Sequence, residues 1–184
     1  PKSEERINLT GRLQKRFNNV KTSFTLRANK NTSYNIVNDD LRRFDYFTQF
    51  GSATVATNFK AAPNVELGYS YNINRSTDED SVLHYITERP FVAVDVAFLK
   101  GFIFLAEYSF FDYRRGSASL NKYDDFTMSL VFNKKDSPWE LSVQANNVFD
   151  NESINRDNFS GIAQTTTLYI IQPRYIYFML KYFL

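Results

Sequence analysis

Apolar and polar residues alternate without a break along Val65–Asn74. Val65, Leu67, Tyr69, Tyr71 and Ile73 hold one parity, and Glu66, Gly68, Ser70, Asn72 and Asn74 hold the other. A period of two suits an extended strand whose two faces meet different surroundings, because successive side chains point to opposite sides. The same rhythm sets Ile7, Leu9 and Leu13 against Asn8, Thr10, Arg12 and Gln14, and Phe24, Leu26 and Ala28 against Ser23, Thr25 and Arg27. It recurs in Phe126, Met128, Leu130 and Phe132, and in Trp139, Leu141, Val143 and Ala145. No window sustains the i, i+3, i+4, i+7 spacing of an amphipathic helix, so the chain reads as all-β.

About nine strands are predicted, over 5–17, 20–29, 42–60, 64–74, 82–99, 102–112, 122–133, 138–149 and 165–184. Their joints alternate in length. Asn18-Asn19, Ala61–Pro63, Lys100-Gly101 and Lys134–Ser137 are short, whereas 30–41, 75–81, 113–121 and 150–164 are longer and polar. Short turns at one end and long loops at the other are the pattern of a transmembrane antiparallel up-and-down β-barrel. Parity is mixed in 42–60, where Phe44, Tyr46 and Phe50 compete with Phe47, Val55 and Phe59, which predicts a bulge near Gly51. Both faces of 102–112 are bulky, which predicts that one of them packs on something inside the barrel.

Several predicted strands exceed the 5–6 residues usual in soluble proteins and match the ~9–11 of a tilted strand crossing a bilayer. The polar parity makes the same point. Arg12, Arg16, Arg27, Glu66, Asp95, Glu107, Glu140 and Gln144 would cost several kcal/mol per unpaired charge in a dry core but little in a wet lumen. The apolar parity then faces lipid, with Tyr69, Tyr71, Tyr108, Trp139 and Phe149 available for the interfacial girdles. The longest apolar runs, Phe91–Leu99 and Tyr175–Leu180, are far shorter than the roughly 18–20 residues of a spanning helix. Twenty-two Lys+Arg against 20 Asp+Glu give a net charge of +2, which points to no nucleic-acid partner. The chain lacks cysteine, which excludes disulfides, cysteine nucleophiles and thiolate metal sites. It opens on Pro1 rather than Met and shows no signal peptide, and truncation is the expected reason.

The last strand sets Ile176, Phe178, Leu180, Tyr182 and Leu184 on one parity, as a closing strand captured by barrel-assembly machinery would. The segment WELSVQANNVFDN (Trp139–Asn151), followed by a polar loop and IQPRYIYFMLKYFL (Ile171–Leu184), resembles the end of TonB-dependent outer-membrane receptors of the Bacteroidetes type. In that family an NNxFD-type motif tops the penultimate strand, and the closing strand carries QPR and an aromatic end. Leu184 departs from the usual terminal Phe, with Phe183 just before it. The resemblance implies that residues 1–184 are the C-terminal part of a 22-stranded barrel, with the plug and earlier strands absent. An odd strand count fits a piece better than a whole, since bacterial single-chain barrels have even numbers.

Candidate chemistry is sparse. His84 stands alone on its strand beside Tyr85, without a metal or catalytic partner motif. Asp78, Glu79 and Asp80 supply oxygen ligands but lack the spacing of a calcium loop, so a solvated external loop is expected there. Asp39-Asp40 and Asp124-Asp125 read the same way, and the basic pair Arg114-Arg115 is assigned to an external loop. No phosphate-cradling glycine loop and no nucleophile elbow occurs. Asn146–Asn151 is read as a strand-end signature that holds the last loop.

The expected function is therefore non-enzymatic. It is uptake of a bulky solute across the bacterial outer membrane, energy-coupled through a plug to an inner-membrane protein, with no cofactor or metal and with a surface lipoprotein as a further partner. A passive structural or adhesion barrel is the alternative. An outer-membrane barrel enzyme would have to use His84 with Ser81, and a soluble lipocalin-like carrier would need a dry interior.

Overall fold

A computed structural model describes residues 4–60, 63–78, 81–133, 137–160 and 163–183 of the 184. The candidates Glu79, Asp80 and Leu184 lie outside the described residues. The described chain is all strand and turn. Its strands are β1 (Glu5–Phe17), β2 (Val20–Val37), β3 (Asp40–Thr57), β4 (Asn64–Thr77), β5 (Val82–Phe98), β6 (Phe102–Arg115), β7 (Ala118–Asn133), β8 (Trp139–Asn146), β9 (Ser153–Ser160), β10 (Ala163–Ile170) and β11 (Tyr175–Tyr182).

Nine of these form one antiparallel sheet in the order β1-β2-β3-β4-β5-β6-β7-β8-β11, and β9 and β10 form a separate hairpin. Strands β1 to β8 are an up-and-down meander. β11 returns to pair with β8 from Tyr175↔Asn146 to Tyr182↔Trp139. Among the described residues no ladder joins β1 to β11.

Register settles which side chains share a face, because cross-strand partners point the same way. The run Leu26↔Gly51, Gly51↔Tyr71, Tyr71↔Glu88 belongs to one face and Arg27↔Phe50, Phe50↔Asn72, Asn72↔Thr87 to the other. On the first face an apolar band crosses the sheet: Leu9–Phe17 of β1, Phe24–Ala28 of β2, Val65–Ile73 of β4, Pro90–Phe98 of β5, Phe102–Phe110 of β6, Phe126–Phe132 of β7 and Ile176–Tyr182 of β11 contribute alternate residues, with Lys15 the one charged side chain among them. Nothing in the described chain covers this band. Leu13 is 70% exposed, Leu67 58% and Phe178 78%. The buried hydrophobic residues described are Phe44, Tyr85 and Ala145, so the described residues enclose no extended apolar core.

Four expectations are corrected. First, 30–41 and 113–121 are not long loops. β2 runs on to Val37 and turns at Asn38-Asp39, both with positive φ (52° and 67°), and β6 runs to Arg115 and turns at Gly116, φ 59°. Asn, Asp and Gly tolerate that left-handed backbone and make the tight turns that match strand twist. Segment 75–81 likewise shortens, since β4 reaches Thr77 and β5 starts at Val82. Arg114 and Arg115 are therefore strand residues, and so are Asp124 and Asp125 of β7.

Second, 150–164 is not one open loop. It contains β9 and the start of β10, which pair in register from Ser153↔Ile170 to Ser160↔Ala163. Third, 165–184 is not one strand, because residues 171–174 separate β10 from β11. Fourth, no bulge occurs at Gly51, where both ladders of β3 pass without a shift, and the aromatics of β3 are simply divided between the faces. The register shift that does occur lies between Tyr113 and Arg114.

Candidate functional site

The eight polar candidates, Arg12, Arg16, Arg27, Glu66, Asp95, Glu107, Glu140 and Gln144, all fall on the second face of the sheet. One rung runs Arg16↔Lys21↔Ala56↔Glu66↔Ala93↔Glu107↔Thr127 across β1 to β7. This face is hollowed. A concavity of about 550 Å³ is lined by Ala56, Glu66, Ala93, Asp95, Glu107, Thr127, Ser129 and Gln144, among others. Residues from β3 and from β8 border one hollow, so the sheet curls toward its polar side.

The hollow is acidic and Arg89 braces its upper wall. The Arg89 Nη2 lies 2.6 Å from Glu107 Oε1 and donates to Ser109 Oγ at 2.9 Å. The same guanidinium lies over Phe91 (5.2 Å) and Phe111 (5.3 Å), and Phe111 stacks on Tyr123 at 4.5 Å. Phe91 lies flat across its partner Gly68, where an added Cβ would overlap the ring. Glycine is needed here for the close approach of the ring. Next to it, Ser109 is 1% exposed and Tyr85, 1% exposed, stacks on Tyr113 at 5.6 Å.

The remaining polar candidates have separate surroundings. Glu140 receives Lys181 Nζ at 2.9 Å and Asn133 Nδ2 at 2.9 Å. Gln144 donates to Asn146 Oδ1 at 2.9 Å and accepts a hydrogen bond from the Tyr177 hydroxyl. Arg27 lies 5.8 Å over Phe50, and Arg16 Nε donates to Asn18 O at 3.1 Å.

Arg114 projects from the apolar-band side, above the band, and pairs with Glu88 at 2.5 Å; Arg115 lies 5.9 Å over Tyr85 on the polar face. Asp78 Oδ1 accepts from Ser81 N at 2.5 Å, which closes the β4–β5 turn. His84 sits in β5 opposite Arg75, and no hydrogen bond joins it to Ser81. Among the described residues no group of three or more His, Cys, Asp or Glu side chains is placed to hold a metal ion.

Asn146–Asn151 acts on the chain itself. Asn147 is 7% exposed with φ 47°. Its Nδ2 donates to Asn151 O and to Gln172 O, both at 2.9 Å, and its Oδ1 accepts from Asn151 N at 2.9 Å. Asn151 Nδ2 also donates to Asp124 O, and Arg174 N donates to Asp150 Oδ1 at 2.8 Å. The motif thereby ties the top of β8 to β7 and to the entry of β11. Phe149 packs against Phe126 (5.8 Å) and edge-on to Tyr108 (6.2 Å), whose hydroxyl bonds Asp124.

Arg89, Phe91, Ser109, Phe111 and Lys21 were not singled out by their sequence context. Lys21 could have been, since it shares the parity of Arg27. Arg89 could not, because its partners stand 18 and 20 residues away on another strand. Comparison with protein-family models, with curated proteins and with solved structures gives no match.

Proposed function

We propose that this chain is part of the wall of a bacterial outer-membrane β-barrel, with the apolar band in the hydrocarbon and the hollowed polar face toward a water-filled lumen. The observation that carries the reading is an uncovered apolar band on the outward-curving side of a nine-stranded sheet whose other side is charged. In water such a band would be a large exposed apolar patch, which soluble monomers avoid. The band suits a bilayer in height. Leu9 to Phe17 spans ~27 Å along the strand at ~3.3 Å per residue, or about 21 Å at a tilt near 40°, against the roughly 25 Å apolar belt of such barrels.

The band is bordered by aromatic pairs, Trp139 with Tyr182 (4.5 Å) and Phe98 with Phe102 (5.8 Å), at the end of the sheet where the 18–19 and 99–101 turns lie. Tyr69 lies midway along Val65–Ile73, and Tyr71 and Tyr108 stand toward the band's other border. Both are places for interfacial girdles. The absence of a spanning helix among the described residues is compatible with this, because barrels cross with strands.

Within this reading the chain serves uptake of a bulky solute by a receptor of the TonB-dependent kind. The wall supplies polar contacts to the solute rather than covalent chemistry. An inner-membrane energy-coupling protein acting through a plug, barrel-assembly machinery, outer-membrane lipid and a surface lipoprotein are the partners that follow.

The absence of cysteine makes a labelling test direct. Single cysteines at 66 and 67, carrying an environment-sensitive fluorophore, are read in lipid vesicles. A dry, lipid-quenched signal at 67 and a wet one at 66 is the expected result, and equal signals would refute the wall. Transport is tested by solute uptake in cells with and without a protonophore. Dependence on the proton-motive force supports the receptor, and size-limited uptake indifferent to the protonophore supports a passive barrel.

A further inference from the structure

Charge on the polar face is sorted by strand. Between Arg6 and Val37 the polar-face positions of β1 and β2 carry Arg6, Arg12, Arg16, Lys21 and Arg27 and no carboxylate. From β4 to β8 the same face carries Glu66, Asp95, Glu107, Asp125 and Glu140, relieved by Arg89 and Arg115. Arg16 and Lys21 are direct cross-strand partners. Like charges placed opposite one another on a sheet destabilise it. The nearest carboxylate on their rung is Glu66, two strands away across Ala56, and no ion pair joins it to either.

Two hollows accompany these cations. One of about 400 Å³ is lined by Gln14, Arg16, Lys21 and Asn58. Another of about 290 Å³ is lined by Asn8, Thr10, Arg27, Asn29, Thr48 and Asn72. Asn29 Oδ1 in the second is buried without a hydrogen-bond partner. A buried acceptor left unmade costs free energy, so the sector carries a polar penalty beside its like-charge repulsion.

We propose that the β1–β2 sector binds a solute carrying two or more anionic groups (carboxylate, sulfate or phosphate) beside hydroxyl or N–H donors. Arg16 and Lys21 hold one anionic group between them and so convert their mutual repulsion into two charge-assisted hydrogen bonds. Arg27 takes a second anionic group, and Thr10, Thr48 and Asn72 beside it offer polar contacts to the neighbouring hydroxyl or N–H groups of the solute. The proposal rests on the wall reading and narrows the class of solute. It also gives the Arg16–Lys21 pairing a use, because a bound anion relieves the repulsion between the two cations.

The test uses the complete protein in detergent micelles, with tripolyphosphate and a sulfated hexasaccharide as probes and neutral maltohexaose as the comparison, read by titration calorimetry. Both anionic probes are expected to bind, more weakly as salt rises, and maltohexaose is not. Arg16→Gln and Lys21→Gln each weaken binding about tenfold, the worth of one charge-assisted contact. Lys21→Glu abolishes binding yet raises the denaturation midpoint, because it replaces a repulsion with an ion pair, an outcome that a purely structural lysine would not give. Lys15→Gln removes the same charge from the other face, where Lys15 lies over Phe17, and leaves binding unchanged. Should Lys21→Glu fail to fold, Arg27→Gln on the same face supplies the second variant and also weakens binding.

No binding of either anionic probe, as would follow if acidic groups of the protein itself neutralise the sector, overturns the proposal. So does binding that Arg16→Gln and Lys21→Gln leave intact. The labels at 66 and 67 are read on the same preparation. Differing labels with no polyanion bound sink the anion site and keep the wall. Equal labels with polyanion bound through Lys21 sink the wall and keep the site.

Discussion

Glu66 and Leu67 are neighbours in sequence and belong to opposite worlds in the sheet. Glu66 borders the 550 Å³ hollow, while Leu67 is 58% exposed in a band that runs across the sheet with no described residue over it. The comparison teaches that the fold is held by its ladders and not by a core. Backbone pairing sets the strands side by side, and each face is free to suit a different solvent. A soluble sheet of this size would have one face against a second layer. This one leaves its apolar face open, and that difference is the physical basis of the wall reading.

Substitutions can break the comparison. The largest effect is expected from Leu67→Arg, which places a charge inside the apolar band, one step in from its Val65 end. It should cost about 2–3 kcal/mol in urea unfolding from lipid vesicles. Glu66→Arg, one residue away, should stay within about 0.5 kcal/mol. Equal costs would remove the distinction between the faces.

Gly68→Val should follow at about 1–3 kcal/mol, because its side chain overlaps the Phe91 ring. Phe91→Ala in the same chain should recover most of that loss, and a double-mutant cycle measures it. Such coupling would show that the polar face is packed locally although it is charged overall.

Asn147→Ala removes two donors and an acceptor at a buried position and should cost about 1–3 kcal/mol. Hydrogen exchange at residues 171–176 should speed up while β1–β4 exchange is unchanged. A uniform change across the sheet would mean that the motif does not act as a local clasp. After these three losses a smaller one is expected from Lys181→Ala. Its bond to Glu140 spans 2.9 Å but leaves the lysine side chain 49% exposed, so the loss should stay below about 1 kcal/mol.

What the sequence showed depended on whether burial had written a pattern. In β4 every odd residue from Val65 to Ile73 is apolar, and both strand and facing were legible. The parity of Arg12, Arg27, Glu66 and Glu107 likewise put them on one face, as the register shows. The rest was hidden for three reasons. Lys30–Asn35 is polar on both parities apart from Tyr34, and a strand with no apolar side looks like a loop even where a polar residue such as Thr32 is buried. The hairpin of β9 and β10 is Asn-, Ser- and Thr-rich and is silent for the same cause. Arg89 depends on Glu107 and Ser109 through pairing of β5 with β6, and no local window contains such a contact.

The continuation of β2 and β3 beyond the apolar band has its own consequence. Residues 29–37 add roughly 30 Å of paired strand past Ala28 at ~3.3 Å per residue, capped by the two-residue turn at Asn38-Asp39. Anything approaching from that end meets a stiff palisade instead of a fringe of supple loops. Trypsin, which must draw several residues into an extended, unpaired form, finds Lys30, Arg42 and Arg43 locked in the ladder. The tips of the turns are then the places where antibodies and proteases gain purchase.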